Sequence, residues 1–320
     1  MNLYIQRSRL LSGARISTRT TKQFLAAFTF VFILGALVFS AEPPKGKLVS
    51  DAKFIVYKEV DEVKLKLKIW TPLEHKPTDK RPTIVFIGAH GNFAPHCMYF
   101  ASRGMIAAAG TVTGPNGIPG ADANAQSAIR WVRGHAKELG ADPDRIVVSG
   151  ASLCGQFAAS TGMVKDLTGD EDATVSFRPN AMILYCPSLD LIKGVTGDDL
   201  KKSEVKWKTK PGELEELSPI YQVKAGLPPM IIFHGKQDTH IPFERSERFG
   251  KLMRDAGNRC EVVGYEGAGH VLFDYKKIYD DKYFIDMLKL ADRFLASMGY
   301  LKGEPTTDKL KNKNATGNPN

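Results

Sequence analysis

The chain has 320 residues, with 44 Lys and Arg against 35 Asp and Glu for a formal charge of +9, and 43% hydrophobic residues. The positive charge sits at the ends: Arg7, Arg9, Arg15, Arg19 and Lys22 lie in residues 1–23, residues 302–320 hold four lysines against Glu304 and Asp308, and the body between them is left close to +2. So neutral a body excludes a basic nucleic-acid-binding face, and its length, about 250 residues, is ample to bury the core of one α/β domain.

Residues 1–23 contain no acid, and the uncharged apolar stretch Phe24–Phe39 follows them. That is the form of an export signal over residues 1–41, with Ser40 and Ala41 as small residues for cleavage. The apolar run is also near the length that spans a bilayer, so residues 24–41 would be a membrane anchor if left uncleaved. Either outcome places the rest of the chain outside the cytoplasm, as a periplasmic, extracellular or membrane-anchored domain. Residues 42–50, beginning Glu42-Pro43-Pro44, read as a linker to a domain over residues 51–301.

Val63, Leu65, Leu67 and Ile69 alternate with Lys64, Lys66 and Lys68, which predicts a half-exposed antiparallel strand at the start of the sheet. Continuous apolar runs near 83–87, 145–149, 181–186 and 229–234 alternate with helical segments. That pattern predicts a mostly parallel central sheet with helices on both faces. The first run ends in the glycine-bearing loop Gly88–Asn92, and residues 110–120 form a turn-rich stretch without aromatic or charged side chains.

The strand near 145–149 runs into Gly150-Ala151-Ser152-Leu153-Cys154-Gly155, with Phe157-Ala158-Ala159 behind it. This is the form of a nucleophile elbow, in which a serine on a strained strand-to-helix turn projects its hydroxyl from the top of a sheet. Ser152 is the candidate nucleophile. The usual second glycine is replaced by Cys154, with Gly155 one place late, and an added β-carbon and sulfur at that point predict some distortion of the elbow. Cys154 itself reads as a small apolar residue at the helix start.

Residues 187–226 are the least regular part, with Asp190, Asp198, Asp199, Lys201, Lys202, Lys206 and Lys208 around Trp207. They read either as a lid over the site or as a solvated surface excursion. The strand Met230–Phe233 then spills into a polar loop carrying Asp238 and His240. A carboxylate at a strand's carboxyl end shares a sheet edge with the elbow, so Asp238 is the candidate orienting acid. Farther on, Gly267-Ala268-Gly269 bends the chain ahead of His270, the candidate general base. His240 is its rival, although two residues after Asp238 it is expected to line the same loop. The order Ser, Asp, His is the one expected of such a triad. Residues 302–320, rich in Lys, Asn, Thr and Gly, read as a disordered tail.

Five stretches, Phe93–Met105, Ala128–Arg133, Asp142–Ile146, Pro242–Phe249 and Gly267–His270, resemble the bacterial acetyl-xylan-esterase and feruloyl-esterase-like branch of the α/β-hydrolases, related to the hormone-sensitive-lipase-like esterases. The resemblance runs from Thr83 to Leu301. It implies an α/β-hydrolase fold and a serine carboxylic-ester hydrolase acting on small-molecule or glycan esters, with Ser152, Asp238 and His270 on the triad positions. Where that family carries a glycine run before its first helix, this chain has only the short Gly88–Asn92 loop, leaving the amides of Ala89 and His90 as oxyanion donors beside that of Leu153. A Tyr-Arg pair of the family is missing after Ala109. These departures keep two alternatives in view: a catalytically impaired hydrolase-fold binding protein, and a prolyl-oligopeptidase-like serine peptidase, although no propeller-like repeat precedes the domain.

No cofactor is implied, since neither a phosphate-cradling loop nor a dinucleotide fingerprint occurs. No metal is implied either, because His90, His96 and Cys97 follow no closed zinc-ligand spacing. Cys97, Cys154, Cys186 and Cys260 are expected to be free thiols, and the oligomeric state is left open.

Overall fold

The computed structural model describes residues 49–192, 197–275 and 281–307. The expected export signal or anchor, the linker up to residue 48 and the tail from 308 lie outside the described residues.

Eight strands form one sheet: β1 (Lys53–Val60), β2 (Val63–Trp70), β3 (Arg81–Ile87), β4 (Ile106–Gly110), β5 (Ala141–Ala151), β6 (Ala181–Tyr185), β7 (Met230–Gly235) and β8 (Cys260–Tyr265). Their order across the sheet is β1-β2-β4-β3-β5-β6-β7-β8. β1 pairs antiparallel with β2 and β2 with β4, and every later pairing is parallel. In β2, Leu65, Leu67 and Ile69 are buried while Lys64 and Lys66 face solvent, as their alternation requires.

The inner strands are apolar throughout because both of their faces are covered. Alternate residues serve opposite cores. Val85, Ile87, Val148, Leu184 and Ile232 pack with α2 (Gly117–Gly134), α4 (Ser152–Met163) and α7 (Phe243–Asp255). Ile84, Phe86, Val147, Ile183 and Phe233 pack on the other face with α1 (His90–Ser102) and α8 (Asp281–Ser297). Two shorter helices, α3 (Ala136–Leu139) and α6 (Glu213–Leu217), and α5 (Gly197–Trp207) complete the described helices. This is the mostly parallel, doubly covered sheet that the sequence pattern predicts, in the α/β-hydrolase architecture that the resemblance implies.

Three features differ from that expectation. The irregular stretch 187–226 holds α5, α6 and a 3-10 turn at Pro219–Gln222. The polar tail starts later than residue 302: Arg103, paired with the fully buried Asp292, donates to the carbonyls of Lys302 and Gly303 at 3.0 and 3.1 Å, and Thr307 is buried. β4 reads Ile-Ala-Ala-Ala-Gly, a poor strand former by composition. It forms because it lies between two partners and leaves no room for larger groups: a β-carbon on Gly110 would sit 2.3 Å from the carbonyl oxygen of Lys66.

The sheet reverses its winding at β3. From there the chain goes to β4 on one side and then returns to β5 on the other, which opens a crevice beyond the carboxyl ends of β3 and β5, where open α/β sheets bind ligands.

Beneath that crevice His96 is wholly buried among the rings of Phe86, Phe93, Tyr185 and Phe284. Burial pushes its imidazole pKa down to about 3. An unfolded histidine titrates near about 6.5, so below that pH the unfolded chain binds a proton that the native state refuses. The contribution of His96 to stability is therefore lost as pH falls from about 6.5 toward about 3, at about 1.4 kcal/mol per unit. Replacing it by the similarly sized, non-titrating methionine, His96→Met, is expected to flatten the unfolding free energy against pH by about one proton in that window, as read from urea denaturation.

Candidate active site

β5 ends at Ala151 and α4 begins at Ser152, with no linking residue. Ser152 takes φ +55°, a left-handed conformation costly for a residue with a β-carbon, and this is the strained turn that lifts its hydroxyl above the sheet. Two glycines permit it. A β-carbon on Gly150 would lie 2.3 Å from the carbonyl oxygen of Cys154, and one on Gly155 would lie 2.9 Å from Cβ of Pro187. Gly155 therefore makes the close approach between the elbow helix and the neighbouring loop, although it stands one place later than the usual pattern. Cys154 points instead toward Gly88, whose added β-carbon would meet its sulfur at 3.7 Å. Burial pushes the Cys154 thiol up to about 11, so it stays protonated near neutrality. The distortion expected from Cys154 is absent.

Asp238 lies three residues beyond β7, and His270 follows β8. The two loops are stitched together: the Gln237 amide donates to the Ala268 carbonyl at 2.9 Å, and a β-carbon on Gly235 would collide with that same oxygen at 2.3 Å. The result brings the three candidate side chains into one line. His270 Nδ1 is 2.7 Å from Asp238 Oδ2, and its Nε2 is 2.8 Å from Ser152 Oγ. A carboxylate only accepts, so Nδ1 carries the proton and Nε2 is the acceptor for the serine hydroxyl. His240, the rival base, lies stacked on the His270 ring.

The Asp238 carboxylate is buried and saturated with donors. The amides of His240 and Ile241 donate to Oδ1 at 2.8 and 2.9 Å, and Oδ2 takes His270 and, at 3.1 Å, a share of the His234 Nε2–H, which is also 2.8 Å from the Ile241 carbonyl. Burial opposes its charge, but the Ile241 amide, the hydrogen bond and charge of His270 and the His240 amide outweigh that and hold the carboxyl below its ordinary range. His234 itself is driven downward, first by burial, and stays neutral with Nδ1 accepting from Ser246 at 2.8 Å.

Cys186 is a further member of the site that sequence reasoning did not single out. It directly follows β6 at φ +36°, and its S–H donates to the His270 carbonyl at 2.9 Å. Cys186, Asp238 and His270 bring metal-type donor atoms within 4.8 Å of one another. Those donors do not suit an ion: the carboxylate is filled by N–H groups, and burial pushes the thiol upward, away from the thiolate that binds metals. His90, His96 and Cys97 are not gathered either, since His90 leans on Phe54 while His96 is enclosed by aromatic rings. All four cysteines are free thiols.

The loop expected over Gly88–Asn92 is shorter still. Gly88, at φ +141°, uses its amide on the Gly110 carbonyl, Ala89 caps, and α1 already begins at His90. The amides of Ala89 and His90 thus stand at the start of α1, and that of Leu153 stands in the first turn of α4. Helix starts carry unpaired N–H groups and a partial positive charge. The Cys154 sulfur lies close enough to Gly88 that a β-carbon there would meet it at 3.7 Å, so the two helix starts stand near one another beside Ser152. Such an arrangement is suited to hold a negative oxygen beside a serine nucleophile.

A strained serine on a strand-to-helix elbow, joined to histidine and aspartate at the carboxyl edge of a doubly covered sheet, defines the class of α/β-hydrolases. Comparison with known proteins narrows it. The BD-FAE family model matches residues 111–253. The native thermophilic esterase Est2 of Thermogutta terrifontis superposes with a TM-score of 0.74 at 44% identity, covering 79% of this chain and 95% of that one. Its propionate-bound form matches at 43% identity and a TM-score of 0.74, covering 79% and 97%. A probable isoprenylcysteine alpha-carbonyl methylesterase of Arabidopsis thaliana, ICMEL1, is 28% identical over 163 residues, 46% of this chain and 34% of that protein. The chain spans between 34% and 39% of the length of three such curated relatives. It belongs to the α/β-hydrolase esterase family.

The displaced glycine is open to a direct test. Gly155→Ala must push Pro187 away and is expected to cost about 1–3 kcal/mol, the usual range for overpacking. Cys154→Gly is expected to cost about 1 kcal/mol, about 0.3 from helix propensity and the rest from lost packing of the Cys154 side chain against the core. Guanidinium denaturation of the two variants gives both values.

Proposed function

We propose that the chain is an exported serine carboxylic-ester hydrolase, acetyl or feruloyl esters of polysaccharides being the substrate class. The observation that carries the chemistry is the unbroken hydrogen-bonded line Asp238–His270–Ser152 at a strained elbow. Ser152 Oγ attacks the ester carbonyl while His270 Nε2 takes its proton. Asp238 keeps Nδ1 protonated and faces the imidazolium that forms. The Leu153 amide, with that of Ala89 or His90, receives the developing oxyanion. His270 then returns its proton to the departing alcohol, which leaves an acyl–Ser152 ester, and water activated by the same imidazole releases the acid.

The substrate class is supported by the likeness to acetyl-xylan and feruloyl esterases and by the BD-FAE match. An acetyl ester is supported by the propionate held by the related Est2. Export is supported by the basic and then apolar sequence of residues 1–39.

A fluorophosphonate ester reports the nucleophile without any choice of substrate. Peptide mass spectrometry is expected to find the adduct on Ser152, and His270→Ala to abolish it. The same variant is expected to lower kcat on a short-acyl 4-nitrophenyl ester by about 10⁴-fold or more. No labelling of the folded wild-type chain would refute the reading. Cys154→Gly is expected to leave the rate unchanged, whereas a sharp gain would mark the natural chain as an impaired enzyme. Acetate release from acetylated xylan tests the substrate class, and amino-terminal sequencing of the chain recovered outside the cytoplasm tests export and cleavage.

A further inference from the structure

Two hydrogen bonds hold the His270 ring, one at each nitrogen. They fix where Nδ1 and Nε2 sit but leave one freedom, a tilt of the ring about the line joining them. That tilt swings the Nε2 lone pair away from Ser152 and the Nδ1 proton out of the carboxylate plane, and hydrogen bonds weaken steeply as they lose alignment. The backbone offers little resistance, because His270 follows a loop with two glycines, Gly267 at φ +76° and Gly269. From below, Cys186 restrains the His270 carbonyl but does not reach its ring plane.

One described ring lies against that plane. His240 is an exposed residue whose imidazole stacks on His270 with centroids 5.0 Å apart and planes 29° from parallel. It is not loosely placed, since its amide donates to Asp238 Oδ1 at 2.8 Å and the next amide, Ile241, donates to the same oxygen. The two oxygens of one carboxylate therefore register two rings: Oδ2 takes the Nδ1–H of His270, and Oδ1 anchors the backbone that carries His240. We infer that His240 is a positioning residue of the esterase reaction, whose ring clamps the face of His270 and keeps that imidazole flat while it takes and returns the serine proton.

The inference rests on the proposed esterase chemistry and adds to it a residue outside the triad. The stacked face also has an electrostatic part. When His270 becomes an imidazolium, the π-face of the ring at position 240 lies over a cation and is attracted to it, most strongly in the transition state where that charge appears. What the site requires at position 240 is thus an aromatic face, and neither titration nor a hydrogen bond of the His240 ring is needed.

The test uses the full chain with His240→Ala and His240→Phe, measuring kcat and KM on a short-acyl 4-nitrophenyl ester, the rate of Ser152 labelling by a fluorophosphonate, and the thermal midpoint. Aromatic pairs and exposed cation–π contacts predict that His240→Ala lowers kcat and the labelling rate by about 3- to 10-fold with KM and midpoint unchanged. His240→Phe is expected to restore both rates. Equal rates in the two variants, whether at the wild-type level or below it, would overturn the inference. So would an effect confined to KM, which would make His240 a wall of the substrate site, or a loss of rate that follows a fall in midpoint. A wild-type chain that neither hydrolyses the ester nor takes the label would instead refute the proposed function, and the inference with it.

Discussion

The Asp238 carboxylate is the junction on which the site depends. It is buried, and a buried charge persists only when its lone pairs are occupied. Four N–H groups from three places occupy them: two amides of its own loop, the ring of His234 on β7 and the ring of His270 beyond β8. That same charge draws the β7 and β8 loops together. Truncating one donor would weaken the fit of the others, since all share one pair of oxygens.

Around that junction the sheet provides a rigid frame with little flexibility of its own. The reversal of strand order at β3 leaves two helices, α1 and α4, starting side by side above the strand ends. Their unpaired amides and aligned dipoles supply positive potential at no cost in a charged side chain, so the electrostatics of the site come from backbone already fixed by packing. The same economy appears in the glycines. Gly150, Gly155 and Gly235 each stand where a β-carbon would strike neighbouring atoms within 3 Å, and each lets one segment of the site lie directly on another.

Much of this was legible along the chain. Period-two alternation in β2 and continuous apolar runs in β3, β5, β6 and β7 follow directly from which faces are covered, so strand type and sheet class could be read locally. The same holds for the serine turn, the acid after β7 and the glycine-flanked histidine, because each is a local signature of a strand end. Other features were hidden for equally physical reasons. β4 is a strand only because β2 and β3 bracket it, against the propensity of its alanines. Cys186 and His240 carry no local mark of their roles, since one acts through a carbonyl 84 positions away and the other through a ring 30 positions on.

The order of residues by itself determined the α/β layering, the candidate nucleophile, acid and base, and the expectation of a leader ahead of the domain, because hydrophobic period and turn chemistry act over a few residues. Whether the substituted elbow could still form was decided only in three dimensions. A pattern counts positions, whereas packing tests distances: the glycine needed for close approach proved to be Gly155, facing Pro187, and Cys154 found space beside Gly88. The short loop after β3 was likewise read as a deficit until the fold showed helix α1 beginning at His90, which puts the start of a helix where the glycine run was expected. Contacts between segments far apart in sequence settle such questions, and no local rule contains them.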